Sequence, residues 1–178
     1  MWTSFIGFMA SGKSAVTRRL QTVTNRPALV LDQAIEEQAG SSVADIFARQ
    51  GEAAFRAMEM ATLAEMDADR PLVVDTGGGV IQAPGAVELL RSRGVVIWLD
   101  APWEALRARL KESDQSTRPL IGRLGWAGLE ELHRHRRRLY AGAADFRLRC
   151  DHGSVDEMAD KAMLRSLQWE RRREEERR

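Results

Sequence analysis

Lys13 and Ser14 close the run Gly7–Ser14, GFMASGKS, which has the spacing G-x-x-x-x-G-K-[ST]. Two glycines framing four residues let the backbone curl until successive N–H groups converge on phosphate oxygens at a helix N-terminus. A lysine after the second glycine reaches the β- and γ-phosphates, and the following hydroxyl ligates Mg²⁺. Ala10, Ser11, Gly12, Lys13, Ser14 and Ala15 are therefore candidates for nucleoside triphosphate binding. A glycine turn that happens to precede a helix is the plainer reading. It does not account for a strand-like TSFI before the run and a helix-compatible KSAVTRRLQTV after it.

Carboxylates stand where such a loop needs them. Asp75 ends the aliphatic run PLVVD, as a metal-associated aspartate does in related nucleotide sites, so it is a candidate for holding Mg²⁺ directly or through water. Capping the glycine turn that follows is its structural alternative. Asp32 lies just past another aliphatic run, ALVL, and ligands bind beyond the carboxyl ends of strands in open parallel sheets. It is thus a candidate general base for a hydroxyl, with a helix N-cap as the alternative.

Arg56 and Glu59 are three apart on a helical stretch. Glu59 can fix the guanidinium and leave its fork for a substrate carboxylate, or the two form a weak surface pair. Gly77–Gly79, directly after PLVVD, imply a tight turn or a close approach to the backbone.

The elements that must position these groups follow from patterning. TSFIGF, ALVL, PLVVD, VVIWLD and FRLRC read as strands, several of them nearly continuous aliphatics, as expected when both faces are covered. Helices are expected near residues 13–24, 32–39, 52–69, 84–92, 102–111, 127–143 and 154–169, giving an α/β protein with a mostly parallel sheet. KESDQSTRPLIGRLG is polar and weakly periodic and reads as a mobile loop, and ERRREEERR reads as a frayed helix end.

The 178 residues suit one domain, with 44% hydrophobic residues sufficient for a core. A net charge of +1 gives no basic surplus for nucleic acid or acidic lipid, and no run is apolar enough to span a membrane. A single cysteine and a start that leaves no room for a signal peptide are the expectation for a cytoplasmic protein.

Together these landmarks resemble the shikimate kinase family. GFMASGKS is followed in family order by the block Asp32, Ile35, Glu36, Gly40, Ile46, Phe47, Gly51, Glu52, Phe55, Arg56 and Glu59. GGG, RPL and R-x-x-LY then follow, and the match spans residues 4–168. The resemblance implies a three-layer P-loop kinase fold, with a five-stranded sheet, flanking helices and a mobile lid near residues 112–125. It implies ATP and shikimate as partners; a domain over 1–170, a charged tail over 171–178 and a monomer are our expectations for the chain.

By the same resemblance, Asp32 binds the shikimate ring hydroxyls and is base for the 3-hydroxyl. Arg56 and Arg136 clamp the carboxylate, the Gly78 backbone meets the ring, and Arg118 contacts the transferred phosphate. Phe47 and Phe55 line the pocket or belong to the core. Arg109 and Cys150–Ser154 border adenine.

The chain departs from the family at Val30, where an aspartate that assists Mg²⁺ is usual. Asp75 stands where the family more often has a small uncharged residue. An exchange of one carboxylate for the other is our expectation. Ala10 and Ala15 replace the more usual Gly and Thr, and RRRLY lacks the usual proline. Two other functions stay open at this point: a kinase for another hydroxylated acid, such as gluconate, or a nucleotide-binding regulator without catalysis.

Overall fold

The computed structural model describes residues 1–112 and 119–177. Five strands form one sheet: β1 (Trp2–Ile6), β2 (Ala28–Val30), β3 (Leu72–Asp75), β4 (Gly94–Asp100) and β5 (Phe146–Arg149). Their order is β2-β3-β1-β4-β5, and every neighbouring pair is parallel. Among the described residues, seven α-helices accompany them: α1 (Lys13–Thr24), α2 (Leu31–Ala39), α3 (Val43–Glu65), α4 (Ala86–Arg93), α5 (Trp103–Glu112), α6 (Pro119–Ala143) and α7 (Val155–Glu176). A short 3₁₀ turn covers Val80–Gln82.

Burial explains the strand sequences. Every residue of β1, β3 and β4 is buried, as continuous apolar runs require when helices cover both faces. The edge strands are less covered: β2 is half-buried throughout and β5 mixes buried with exposed positions. Alternation along β1 assigns the two layers. Trp2 lies beneath the Arg93 guanidinium at the end of α4, whereas Thr3 meets Ser166 of α7 at 3.1 Å on the other face.

The chain leaves β1 for β2, returns to β3 between them, and only then crosses to β4. Loops after β1, β3 and β2 therefore gather at one end of the sheet. Register makes this concrete, because Asp75 pairs laterally with Phe5 on one side and Val30 on the other. The side chain and amide of Thr76 both bond the Phe5 carbonyl, tying the ends of β1 and β3 together.

Two sequence expectations change here. α3 begins at Val43, well before the expected residue 52. Ser42 caps it by accepting from the Asp45 amide, and a single break at Gly51 (φ 80°) hid the continuity. The described parts of the expected loop over residues 111–125 are helical, since Lys111 and Glu112 finish α5 and residues 119–124 already belong to α6, which breaks at Gly125. Residues 113–118 of that stretch lie outside the described residues. The charged ending is a helix end as expected, with α7 running to Glu176.

Candidate active site

The phosphate loop leaves β1 as read from its spacing. Gly12 is the N-cap of α1 in a left-handed conformation, and no side chain caps that end. α3 and α7 are treated differently, each capped by a serine, Ser42 and Ser154. An uncapped helix start presents its orphan N–H groups and positive dipole end to an anion. Lys13, at the first helical position, bonds the Gly7 and Phe8 carbonyls at 2.9 and 3.1 Å and holds the loop curled. Ala10 sits at φ 61°, a left-handed conformation that disfavours any side chain, which accounts for the glycine more usual there.

Beside the loop lies a cavity of about 370 Å³. Ala10, Gly12, Lys13, Ser14 and Ala15 line it from the loop, and Asp32, Asp75, Gly77 and Gly78 from the sheet. Ser11 is buried behind the loop. Arg109 of α5 closes the cavity, donating to the Ala10 carbonyl at 3.2 Å and the Cys150 carbonyl at 2.5 Å. This links the loop to the turn at residues 150–154 that was expected near adenine.

Asp75 faces the loop. Its carboxylate accepts from the Ser14 hydroxyl at 2.5 Å and from the Gly77 amide at 3.4 Å. The two sequence alternatives, metal partner and turn cap, thus coexist in one side chain. Hydroxyl and carboxylate oxygens in contact suit a hard cation such as Mg²⁺, which commonly takes one or two protein oxygens and fills its remaining positions with phosphate and water. Among the described residues there is no cluster of three or more His, Cys, Asp or Glu that forms a metal cage.

Asp32 lies in the first turn of α2, whose N-cap is Val30. The N-cap alternative for Asp32 is therefore not what the structure holds, and its carboxylate is available to the cavity. Burial raises its pKa above the usual carboxylate range, opposed by Lys13 and Arg56 and helped by Asp75 and Glu36. A carboxylate with raised proton affinity beside a phosphate loop is suited to accept a hydroxyl proton.

The glycine run explains itself through its neighbours. Gly77 has φ +69°, and a Cβ there would lie 2.6 Å from an Asp32 oxygen. A Cβ on Gly79 would overlap the Arg56 guanidinium, and one on Gly78 would approach Arg136 Nη1 at 3.9 Å. Asp32, Arg56 and Arg136 thus surround three consecutive residues without side chains. Arg56, Gly79 and Arg136 do not line the 370 Å³ cavity itself, and they adjoin it across the glycines.

The two arginines differ in how they are compensated. Arg56 donates Nη1 to Glu59 at 2.5 Å and Nη2 to Glu52 at 3.0 Å, so both arms of its fork are occupied, contrary to the sequence reading. Its buried Nε and Glu59 Oε1 have no partner among the described residues. The guanidinium also sits over the Phe47 and Phe55 rings, at 5.8 and 5.4 Å. Phe55 is buried in the core and Phe47 packs half-buried against it.

Arg136 is 6% exposed, and the partners the structure gives it are neutral. Gln82 Oε1 accepts from Nε at 3.0 Å and Nη2 at 2.7 Å, and the Tyr140 oxygen is its other contact. Tyr140 in turn donates to the Gly78 carbonyl at 2.5 Å. Burial, together with the neighbouring charge of Arg56, pushes the Arg136 pKa below its ordinary value. A buried guanidinium without an acid partner is a place for an anion.

Sequence reading missed Gln82, Glu52 and Tyr140 as members of this cluster. Glu52 and Tyr140 carried a signal, since each is four residues from its arginine on the same helix face. Gln82 carried none, because a 3₁₀ turn distant in sequence brings it to Arg136. Arg118 lies outside the described residues.

Comparison with known proteins gives one consistent result. The family model for shikimate kinase matches residues 9–167. A shikimate kinase from Symbiobacterium thermophilum is 39% identical over 159 residues, covering 89% of this chain and 91% of the relative. One from Gloeobacter violaceus is 45% identical over 139 residues, covering 78% and 77%. The solved structure of shikimate kinase from Acinetobacter baumannii in complex with shikimate superposes with a TM-score of 0.84, at 30% identity over 94% of this chain and 93% of that one.

Proposed function

The chain belongs to the shikimate kinase family, and on that premise we propose that it transfers the terminal phosphoryl group of ATP to the 3-hydroxyl of shikimate. The products are ADP and shikimate 3-phosphate, on the route to chorismate and the aromatic amino acids. The observation that carries this reading is the convergence of one carboxylate and two arginines on Gly77–Gly79, beside an uncapped phosphate-loop helix.

Phosphoryl transfer needs little covalent help from a protein; it needs alignment and neutralised charge. Lys13, the loop amides and the start of α1 hold the phosphates. Ser14 and Asp75 would hold Mg²⁺, which would offset the charge of the phosphates. Arg136, with Arg56 behind it, takes the substrate carboxylate and turns the ring over Gly78. Asp32 then accepts the proton of the attacking hydroxyl. Arg118, outside the described residues, is assigned to the transferred phosphate by the resemblance alone, and Arg109 and the 150–154 turn border adenine. The protein acts as a monomer in the cytoplasm. No helix of the described residues is long and apolar enough to cross a membrane.

An ADP-release assay against a panel of hydroxy acids tests this. Shikimate should support turnover and gluconate should not. Turnover with gluconate alone would move the chain to the related acid kinases. Nucleotide binding without ADP release for any acid would make it a regulator.

A further inference from the structure

The acceptor side of the site contains a residue that no part of the phosphoryl transfer requires. Gln82 closes the 3₁₀ turn after the glycines, and its side-chain oxygen receives both Nε and Nη2 of Arg136. Arginine only donates, so the amide must present its oxygen, and the whole side edge of the guanidinium is committed to it. Nη1 remains beside Gly78, on the side where the glycines leave room. Tyr140, four residues on from Arg136 along α6, donates to the Gly78 carbonyl.

Charge distinguishes this arrangement from that of the other arginine. Arg56 is held by two carboxylates, Glu52 and Glu59. Arg136 is held by a neutral acceptor, although Gln82 is an exposed residue and a carboxylate of nearly the same shape would fit there. An acid at position 82 would neutralise the cation and compete with any incoming carboxylate.

We propose that Gln82 is the positioning residue of the acceptor site: it fixes the Arg136 guanidinium edge-on through a neutral oxygen, so the charge stays available for one substrate carboxylate. This rests on the kinase reading above and adds to it the residue that makes an anionic acceptor preferred. Its effect passes through Arg136, and it touches neither nucleotide nor metal.

Two variants test it, Gln82→Glu and Gln82→Met, because position 82 is exposed and both keep the side chain's length. Gln82→Glu should raise the shikimate KM about ten- to a hundredfold, the range for one charge-assisted contact. The kcat at saturation, the ATP KM and the melting temperature should stay at wild-type values. Gln82→Met, which loses the acceptor without adding charge, should raise the shikimate KM less. The methyl ester of shikimate, which lacks the charge, should show the same KM with wild type and Gln82→Glu.

An unchanged shikimate KM in Gln82→Glu overturns the proposal. So does a Gln82→Met effect as large as that of Gln82→Glu, because the added charge would then do nothing, or an equal loss for acid and ester, because the substrate carboxylate would then not be what Gln82 serves. Failure of the wild type to use shikimate would be a failure of the kinase reading instead. The same ratios would then be measured with the acid it does use.

Discussion

Asp32 and Glu59 are both carboxylates with raised pKa, yet their surroundings give them different work. Asp32 opens on the cavity with Lys13 across from it. Asp32→Asn keeps the size and much of the hydrogen bonding but cannot take a proton. Its kcat should fall about 10²–10⁴-fold, with nucleotide binding, measured by titration calorimetry, retained. A kcat near wild type would leave Asp32 as an anchor only.

Glu59 is 1% exposed, and burial raises its pKa to about 7 against the pull of Arg56. The native state therefore holds a proton that the unfolded chain releases near 4.5. This group's contribution to stability is complete below about pH 4.5 and is lost as pH rises through about 7. Denaturation of wild type and Glu59→Gln across that window should show a stability difference that grows in the variant's favour as pH rises. A difference independent of pH would mean that the Arg56 pair, and not proton binding, governs the site.

At the scale of elements, the ends of β1, β2 and β3 decide what the loops can do. Val30 and Asp75 are register partners on β2 and β3, so a carboxylate at either position reaches the same end of the sheet. Asp75 already accepts the Ser14 hydroxyl. Asp75→Ala should therefore raise the Mg²⁺ concentration for half-maximal rate and weaken Mn²⁺ binding measured directly. Adding Val30→Asp to that variant should restore part of both. A lower melting temperature with an unchanged metal requirement would leave Asp75 as the cap of the Gly77 turn alone.

The same scale explains why α6 presents Arg136 so firmly. Arg137, the next residue, pairs with buried Asp100 at the end of β4, which also receives Arg147 from β5. α6 is thus pinned to the sheet one residue beyond the arginine it delivers.

Taken as a whole molecule, the chain is one sheet with helices on both faces, and α7 is the last of them. Its Met158, Ala159 and Ala162 are buried and Ser166 reaches Thr3, whereas residues 171–177 are exposed throughout. We propose that the domain extends to residue 170, where Glu170 lies near Arg26 at 3.9 Å, and that beyond it only Arg173 over the Trp169 ring is tied back among the described residues. Deleting 171–178 should leave the shikimate kcat and KM unchanged and move the melting point by no more than about 2 °C, as expected for about half a kcal/mol in a chain of this size. A larger loss would make the helical end part of the fold.

Local physics made much of this legible. Continuous aliphatic runs specify doubly covered strands, and a phosphate loop needs only adjacent residues, so Gly7–Ser14 and the five strands could be read directly from the chain. Helix-face pairs such as Arg56 and Glu59 were also within reach, because they depend on 3.6-residue periodicity. What the chain alone could not tell is how each charge is balanced. That neutral Gln82 holds Arg136 and that Val30 and Asp75 stand side by side both depend on contacts between segments distant in sequence. Sheet register and helix docking decide those contacts, and only the tertiary structure fixes them.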